Sequence, residues 1–207
     1  MTHLTDIIRP ETPQDQNIVE TLTREAFWNV YRPGCVEHYV LHGFRQRPEF
    51  IPALNLVLET ENGIIAHIMY SHAKIQCDNG DMIPIVVFGP VSVLPAYQHQ
   101  GYGSKLIRYS LEQARSLGYG AVAITGNPAY YHRFGFVSGQ SQGIFYADMP
   151  READCPFFMI KELQDGYLKG VTGTYSDPQG YLVSDAEVDA FDRSFPPKEK
   201  KILPGQL

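Results

Sequence analysis

The residues best suited to chemistry lie in the run Gln98-His99-Gln100-Gly101-Tyr102-Gly103. The apolar stretch Ile85 to Leu94 precedes it, and a helical pattern begins at Gly103. Two glycines at such a junction let the backbone turn its N–H groups toward one point. The helix N-terminus adds about half a positive charge. Together they form an anion cradle suited to a diphosphate. The bare hexapeptide also fits an ordinary glycine-containing loop, so its context carries the reading. No Gly-Lys-Ser/Thr follows, which excludes a Walker A loop. No G-x-G-x-x-G occurs there and no acidic residue closes a following strand, which excludes the dinucleotide fingerprint. Gly103-Ser104-Lys105 opens a helix, and no G-x-S-x-G nucleophile elbow is present. His99, His132 and the earlier histidines lack the paired spacing of zinc ligands, so no metal site is expected.

The flanking elements must hold this cradle in place. Thr12-Pro13 predicts a helix start, a capping hydroxyl followed by proline. Ile18, Val19, Leu22 and Ala26 then form an apolar stripe to about Phe27. A second short helix is predicted from Val36 to His42, stopped by Gly43. Leu54 to Leu58 and Ile64 to Ile75 read as strands joined at Asn62-Gly63, a hairpin signal. A turn at Asp78-Asn79-Gly80 leads to Ile85 to Leu94, completing an antiparallel meander. Pro90 cannot donate to a ladder, so a bulge or an edge is expected there. Leu106, Ile107, Leu111 and Ala114 line one side of a helix from Gly103 to Leu117. Ala121 to Thr125 is the next strand, and strand, helix, strand predicts a parallel pair. Asn127-Pro128 opens a short helix, and Pro156 to Ile160 reads as a further strand. Ser184 and Glu187 form a capping box for a last helix through Phe191.

Composition bounds the function classes. With 207 residues, 43% of them hydrophobic, the chain can form one core with an extension. The net charge of −6 gives no general attraction to nucleic-acid phosphates. No apolar run approaches the roughly 20 residues of a membrane span, so no membrane partner is expected. The N-terminal stretch from Met1 to Gln14 lacks the pattern of a signal peptide. Cys35, Cys77 and Cys155 are distant and odd in number, which reads as reduced thiols in a cytoplasmic protein.

The segment from Val86 to Phe136 resembles the GNAT superfamily of acetyl-CoA-dependent N-acetyltransferases. The elements that carry the likeness occur in order. Val91-Ser92-Val93-Leu94-Pro95 closes a strand, and Gln98-x-x-Gly101-x-Gly103 precedes an amphipathic helix. A strand then ends near Asn127, followed by Tyr130-Tyr131-His132-Arg133-Phe134-Gly135-Phe136. The resemblance implies an α/β fold: a mixed, mostly antiparallel sheet with a splayed parallel strand pair, flanked by helices. It implies a GNAT domain over residues 1–165; it says little about residues 166–207, which are read as a C-terminal extension packed on the same domain. It implies acetyl-CoA as donor and no metal. Main-chain groups along Val91, Ser92 and Val93 would pair with the pantetheine arm. The amides of Gln98, His99, Gln100, Gly101, Tyr102, Gly103 and Ser104 would hold the diphosphate, and Asn127 would meet the cofactor from the other side. Tyr131 stands where the family commonly carries a tyrosine that protonates the departing thiolate. A phenol titrates near 10 and a thiol near 8.5, so the phenol is a competent donor at pH 7.

The acceptor is expected to be a primary amine, most simply of a small molecule. Glu37, His38 and His67 are candidates for the base that deprotonates it, and His67 on its strand equally fits a structural role. A non-catalytic acyl-CoA-binding module and a protein N-acetyltransferase are the alternatives. The extension, with Tyr167, Tyr175, Tyr181 and Phe191, either covers the acceptor side or builds a homodimer interface.

Overall fold

The computed structural model describes residues 6–206. The first five residues, part of the N-terminal stretch read above, lie outside the described residues. The fold is mixed α/β with a mostly antiparallel sheet. The chain forms two compact units, the first from Met1–Met69, Pro90–Ser110 and Gln179–Leu207, the second from Tyr70–Gly89 and Leu111–Pro178.

In the first unit, β1 (Ile7–Pro10) pairs antiparallel with β2 (Leu56–Thr60), Ile8 opposite Leu58. β2 pairs with the start of β3 (Gly63–Cys77). Gly63 makes the turn at φ 91°, a left-handed conformation that favours glycine. A 3-10 turn, Pro13–Asp15, leads into α1 (Gln16–Phe27). Asp15 closes its start by accepting from the Thr12 N–H at 2.8 Å and the Thr12 hydroxyl at 2.7 Å. Val19 and Leu22 pack against Val40, Leu41 and Phe44 of α2 (Glu37–Phe44), and against Val57 and Met69. Ile18 does not share that stripe. It is 52% exposed, because the helix turns about 100° between residues 18 and 19 and only one of the two faces the core.

The second unit holds the parallel pair. In β4 (Met82–Val93), Val86 and Val87 lie opposite Val122 and Ala123 of β5 (Ala121–Thr125). β5 then continues antiparallel to β8 (Phe158–Glu162), Thr125 opposite Phe158. The short strand β6 (Val137–Ser138) flanks β8. The far end of β3 pairs with β9 (Gly173–Tyr175), which pairs parallel with β7 (Ile144–Tyr146). The Phe158 and Tyr175 rings stack at 4.9 Å in this core. β4 runs unbroken through Pro90, with the neighbouring Gly89 at φ 153°.

α3 (Tyr102–Ser116) buries Leu106, Ile107, Leu111 and Ala114, the stripe read from the sequence. α4 (Pro128–Tyr131) is a single turn begun by Asn127. α5 (Asp185–Asp192) starts on the Ser184–Glu187 capping box, each side chain accepting the other residue's backbone N–H. Of the segment from 166 onward, β9 belongs to the second unit and α5 to the first.

Candidate functional site

In the first unit the predicted cradle is a loop followed by the start of α3, where backbone N–H groups are exposed by the helix geometry. The Lys105 N–H donates to the Gly101 carbonyl at 2.9 Å, the first bond of α3. The N–H groups of Tyr102, Gly103 and Ser104 therefore have no intrahelical acceptor and project from the helix start. The loop before them curls because His99 and Gly101 both adopt positive φ, 60° and 91°. Gln100 Nε2 donates to the Ala96 carbonyl at 2.8 Å and ties the loop to the turn Pro95–Tyr97. A Cβ on Gly101 would meet nothing within 4 Å, so glycine is required there by backbone conformation and not by space.

The strand before the cradle has a defined edge. The Leu94 N–H donates to the Ile65 carbonyl at 2.9 Å, so residue 94 faces β3. Alternation along an extended strand turns the main-chain groups of Val91 and Val93 to the opposite edge. The Val93 carbonyl indeed accepts from Gln98 Nε2 at 3.0 Å. Gln98 thus reaches back to the strand with its side chain, linking cradle and strand. Ser92 points its hydroxyl into the interior, where it is 1% exposed and lies 3.0 Å from the Thr23 hydroxyl. Its side chain is committed to α1.

The second unit places Asn127 and Tyr131 together on α4. Asn127 is exposed, and its Oδ1 accepts from the Ala129 N–H at 3.0 Å. Its carbonyl takes the N–H of Tyr130 at 3.0 Å and of Tyr131 at 3.2 Å. The residue is thus the helix cap that aims Tyr131. The Tyr131 ring is buried, with Phe88 at 5.9 Å, Phe136 at 6.0 Å and Tyr130 edge-on at 5.0 Å. Tyr130 is instead covered by the Arg133 guanidinium, 4.8 Å from its ring centre. The two neighbouring tyrosines therefore occupy different surroundings.

The three candidate bases lie in the first unit. His67 is fully buried, and its Nε2 is 2.6 Å from Asn55 Oδ1. Glu11 accepts from Asn55 Nδ2, which leaves Asn55 Oδ1 to accept and fixes the proton on His67 Nε2. Burial first, and then the Arg45 charge, push the imidazole down to about 3. His67 is accordingly a neutral, structural histidine. His38 is buried between Cys35 Sγ, 3.3 Å from Nδ1, and Asp192 Oδ1, 3.2 Å from Nε2. Burial pulls it down to about 4 despite the carboxylate, and pushes the Cys35 thiol up to about 12. A cysteine, a histidine and an aspartate thus meet, but the thiol stays protonated and the group is no nucleophilic triad. Glu37 is half-buried and its carboxyl is raised by burial, although the Val36 N–H donates to it at 2.9 Å. Of the three, Glu37 alone combines partial access with a pKa moved toward a base's working range.

Sequence reasoning did not find Thr23, Asp192 or the side-chain role of Gln98. Thr23 and Asp192 bond residues 69 and 168 positions away, and a hydroxyl or carboxylate on a helix carries no local signal of such a partner. Gln98 reaches back to Val93 nearby, but residue type alone does not say that its side chain turns that way.

The chain is similar to several known proteins. Residues 53–138 match the family model of the acetyltransferase (GNAT) domain. YhbS, an uncharacterized N-acetyltransferase of Escherichia coli strain K12, is 29% identical over 168 residues, 81% of this chain and 93% of that protein. YjhQ of the same organism, also an uncharacterized N-acetyltransferase, is 36% identical over 87 residues, 41% of this chain and 46% of that protein. The crystal structure of E. coli YhbS in complex with CoA superposes with a TM-score of 0.75 at 25% identity, covering 87% of this chain and 94% of that one. A GNAT acetyltransferase from Brucella melitensis in complex with acetyl-CoA gives a TM-score of 0.69 at 27% identity, covering 87% and 100%. The family match over residues 53–138, the curated N-acetyltransferase relatives and the CoA-bound structural neighbours together support a GNAT superfamily acetyltransferase, an acyltransferase dependent on acetyl-CoA.

Proposed function

We propose that this protein transfers the acetyl group of acetyl-CoA to the primary amine of a small molecule, by direct attack while both are bound. The observation that carries the reading is the set of N–H groups of Tyr102, Gly103 and Ser104 at the start of α3, in a loop that the Gln98 side chain ties to the Val93 carbonyl. Neighbours that are 25% and 27% identical hold CoA or acetyl-CoA, which supports the donor. When bound, the donor supplies an activated acetyl thioester. The chain's own groups do the rest. The N–H groups at the start of α3 hold the diphosphate. Main-chain groups of Val91 and Val93 pair with the amides of the arm and orient the thioester carbonyl, and an N–H aimed at that oxygen stabilises the charge that develops there. Tyr131 gives its phenolic proton to the sulfur as the C–S bond breaks. The amine loses a proton to Glu37 or to water and keeps the acetyl group. The three free thiols support work in a reducing compartment, the cytoplasm.

A panel of primary amines assayed with acetyl-CoA and a thiol reagent tests this reading. Release of free CoA only when a small amine is present supports it. Release only with peptides moves the acceptor to a protein. No release with any acceptor, although acetyl-CoA binds, overturns transfer in favour of a binding module.

A further inference from the structure

Beside its sheet bonds, the strand that offers Val91 and Val93 is tied to α1 by a buried side-chain contact. Ser92 and Thr23 are 1% and 0% exposed, and their hydroxyls lie 3.0 Å apart. A buried hydroxyl pair adds little net stability, because two apolar groups of the same shape would do nearly as well. What it adds is direction, since the bond fixes both the distance and the register between α1 and β4. The next residue of α1, Arg24, is equally fixed on another side. Its Nε donates to Asp192 Oδ1 at 2.6 Å and its Nη2 to Oδ2 at 3.2 Å, with only 2% of the arginine exposed. Trp28 covers the guanidinium at 4.2 Å and Phe195 at 5.3 Å. His38 Nε2 approaches the same carboxylate at 3.2 Å. Asp192 is therefore the point where α1, α2 and α5 are tied together, one residue away from the contact that holds Ser92.

We propose that Asp192 and Thr23 are positioning residues for the donor: through Arg24 and Ser92 they set the placement of β4 at residues 91–93. The inference rests on the acetyl-CoA reading above and extends it to the C-terminal helix. It is selective. The cradle at residues 102–104 has its own anchors, the Lys105–Asp6 ion pair at 2.8 Å and the Gln100–Ala96 bond, so loosening Ser92 leaves it in place. The arm of the donor should be lost while its diphosphate is kept.

Calorimetric titration with acetyl-CoA and with ADP separates the two. For Thr23→Val, Ser92→Ala and Asp192→Asn, acetyl-CoA affinity should fall by about tenfold, and ADP affinity should stay within about twofold. The Thr23→Val/Ser92→Ala double variant should bind like either single one, because both remove one contact. Thr23→Ser keeps the hydroxyl and should bind like the parent. If Asp192→Asn fails to fold, the two hydroxyl variants still decide. An unchanged acetyl-CoA to ADP ratio, or equal loss of both ligands, overturns the inference and leaves the contact merely structural. A parent protein with no affinity for acetyl-CoA overturns the donor reading itself, and this inference with it.

Discussion

A Cβ on Gly126 would lie 2.6 Å from Cε2 of Tyr131, so the tyrosine ring rests directly on the backbone at the end of β5. Gly126 is held there by its own N–H, which donates to the Phe157 carbonyl at 2.8 Å. The position of the ring is thus set by the sheet as well as by the cap at Asn127. Gly126→Ala must displace one or the other. We expect a stability loss of about 1–3 kcal/mol in urea unfolding, as for other overpacked sites. Turnover should fall with it, while acetyl-CoA affinity changes only a few-fold, because the cradle is untouched.

Gly101 separates backbone strain from charge in the cradle. Its φ of 91° disfavours any side chain, yet the space around it is open. Gly101→Asn and Gly101→Asp share the strain and differ in one negative charge. Acetyl-CoA at about 100 times its dissociation constant should stabilise the parent by roughly 2.7 kcal/mol, seen as a higher melting temperature. The aspartate variant should show no such rise, and the asparagine variant a partial one. Equal rises in both variants would remove the diphosphate from this loop.

Stability should depend on pH through the two buried histidines. In the folded protein His38 titrates at about 4 and His67 at about 3, both lowered chiefly by burial, against about 6.5 in the unfolded chain. The unfolded chain therefore takes up protons first as the pH falls. The stabilisation is complete above about 6.5 and is lost as the pH drops toward 4. Glu11 and Glu37, raised by burial, act in the opposite sense near the carboxylate range and offset part of the loss at its lower end. Melting temperature measured from pH 7 to pH 4.5 should decline, and His67→Gln should flatten the decline.

Cys35 should be chemically silent. It is 4% exposed, and its thiol is pushed up to about 12 by burial. Iodoacetamide at pH 8 followed by peptide mass mapping should label the half-exposed Cys77 and spare Cys35 until denaturant is added. Labelling of Cys35 in the native protein would contradict the inert Cys35–His38–Asp192 cluster described above.

Much of this architecture was legible because its signals are local. Asn62-Gly63 forces a turn, the Ser184–Glu187 box starts a helix, and Leu106 to Ala114 repeat at a helical period. β1, β6, β7 and β9 were not anticipated, since strands of two to four residues are too short to show alternation. Residue type alone cannot separate the adjacent apolar positions Ile18 and Val19, and only the helix phase sends Ile18 to solvent. The strand, the turn and the start of α3 around residues 91–104 follow from consecutive residues and are visible in the sequence. Thr23–Ser92 and Arg24–Asp192 join residues 69 and 168 positions apart, and only the fold brings them together.

In the proposed reaction Tyr131 hands a proton to the departing thiolate of the donor. Tyr131→Phe keeps the ring on Gly126 and among its aromatic neighbours and removes only the hydroxyl. The measurement is kcat with a saturating amine acceptor, under conditions where chemistry limits the rate, with Tyr130→Phe as control. General acid catalysis is typically worth roughly 10²–10⁴-fold, and water can replace part of it. The expected result is a fall in kcat of at least about tenfold, unchanged acetyl-CoA affinity, and a smaller effect in Tyr130→Phe. A Tyr131→Phe enzyme that turns over as fast as the parent would contradict the account.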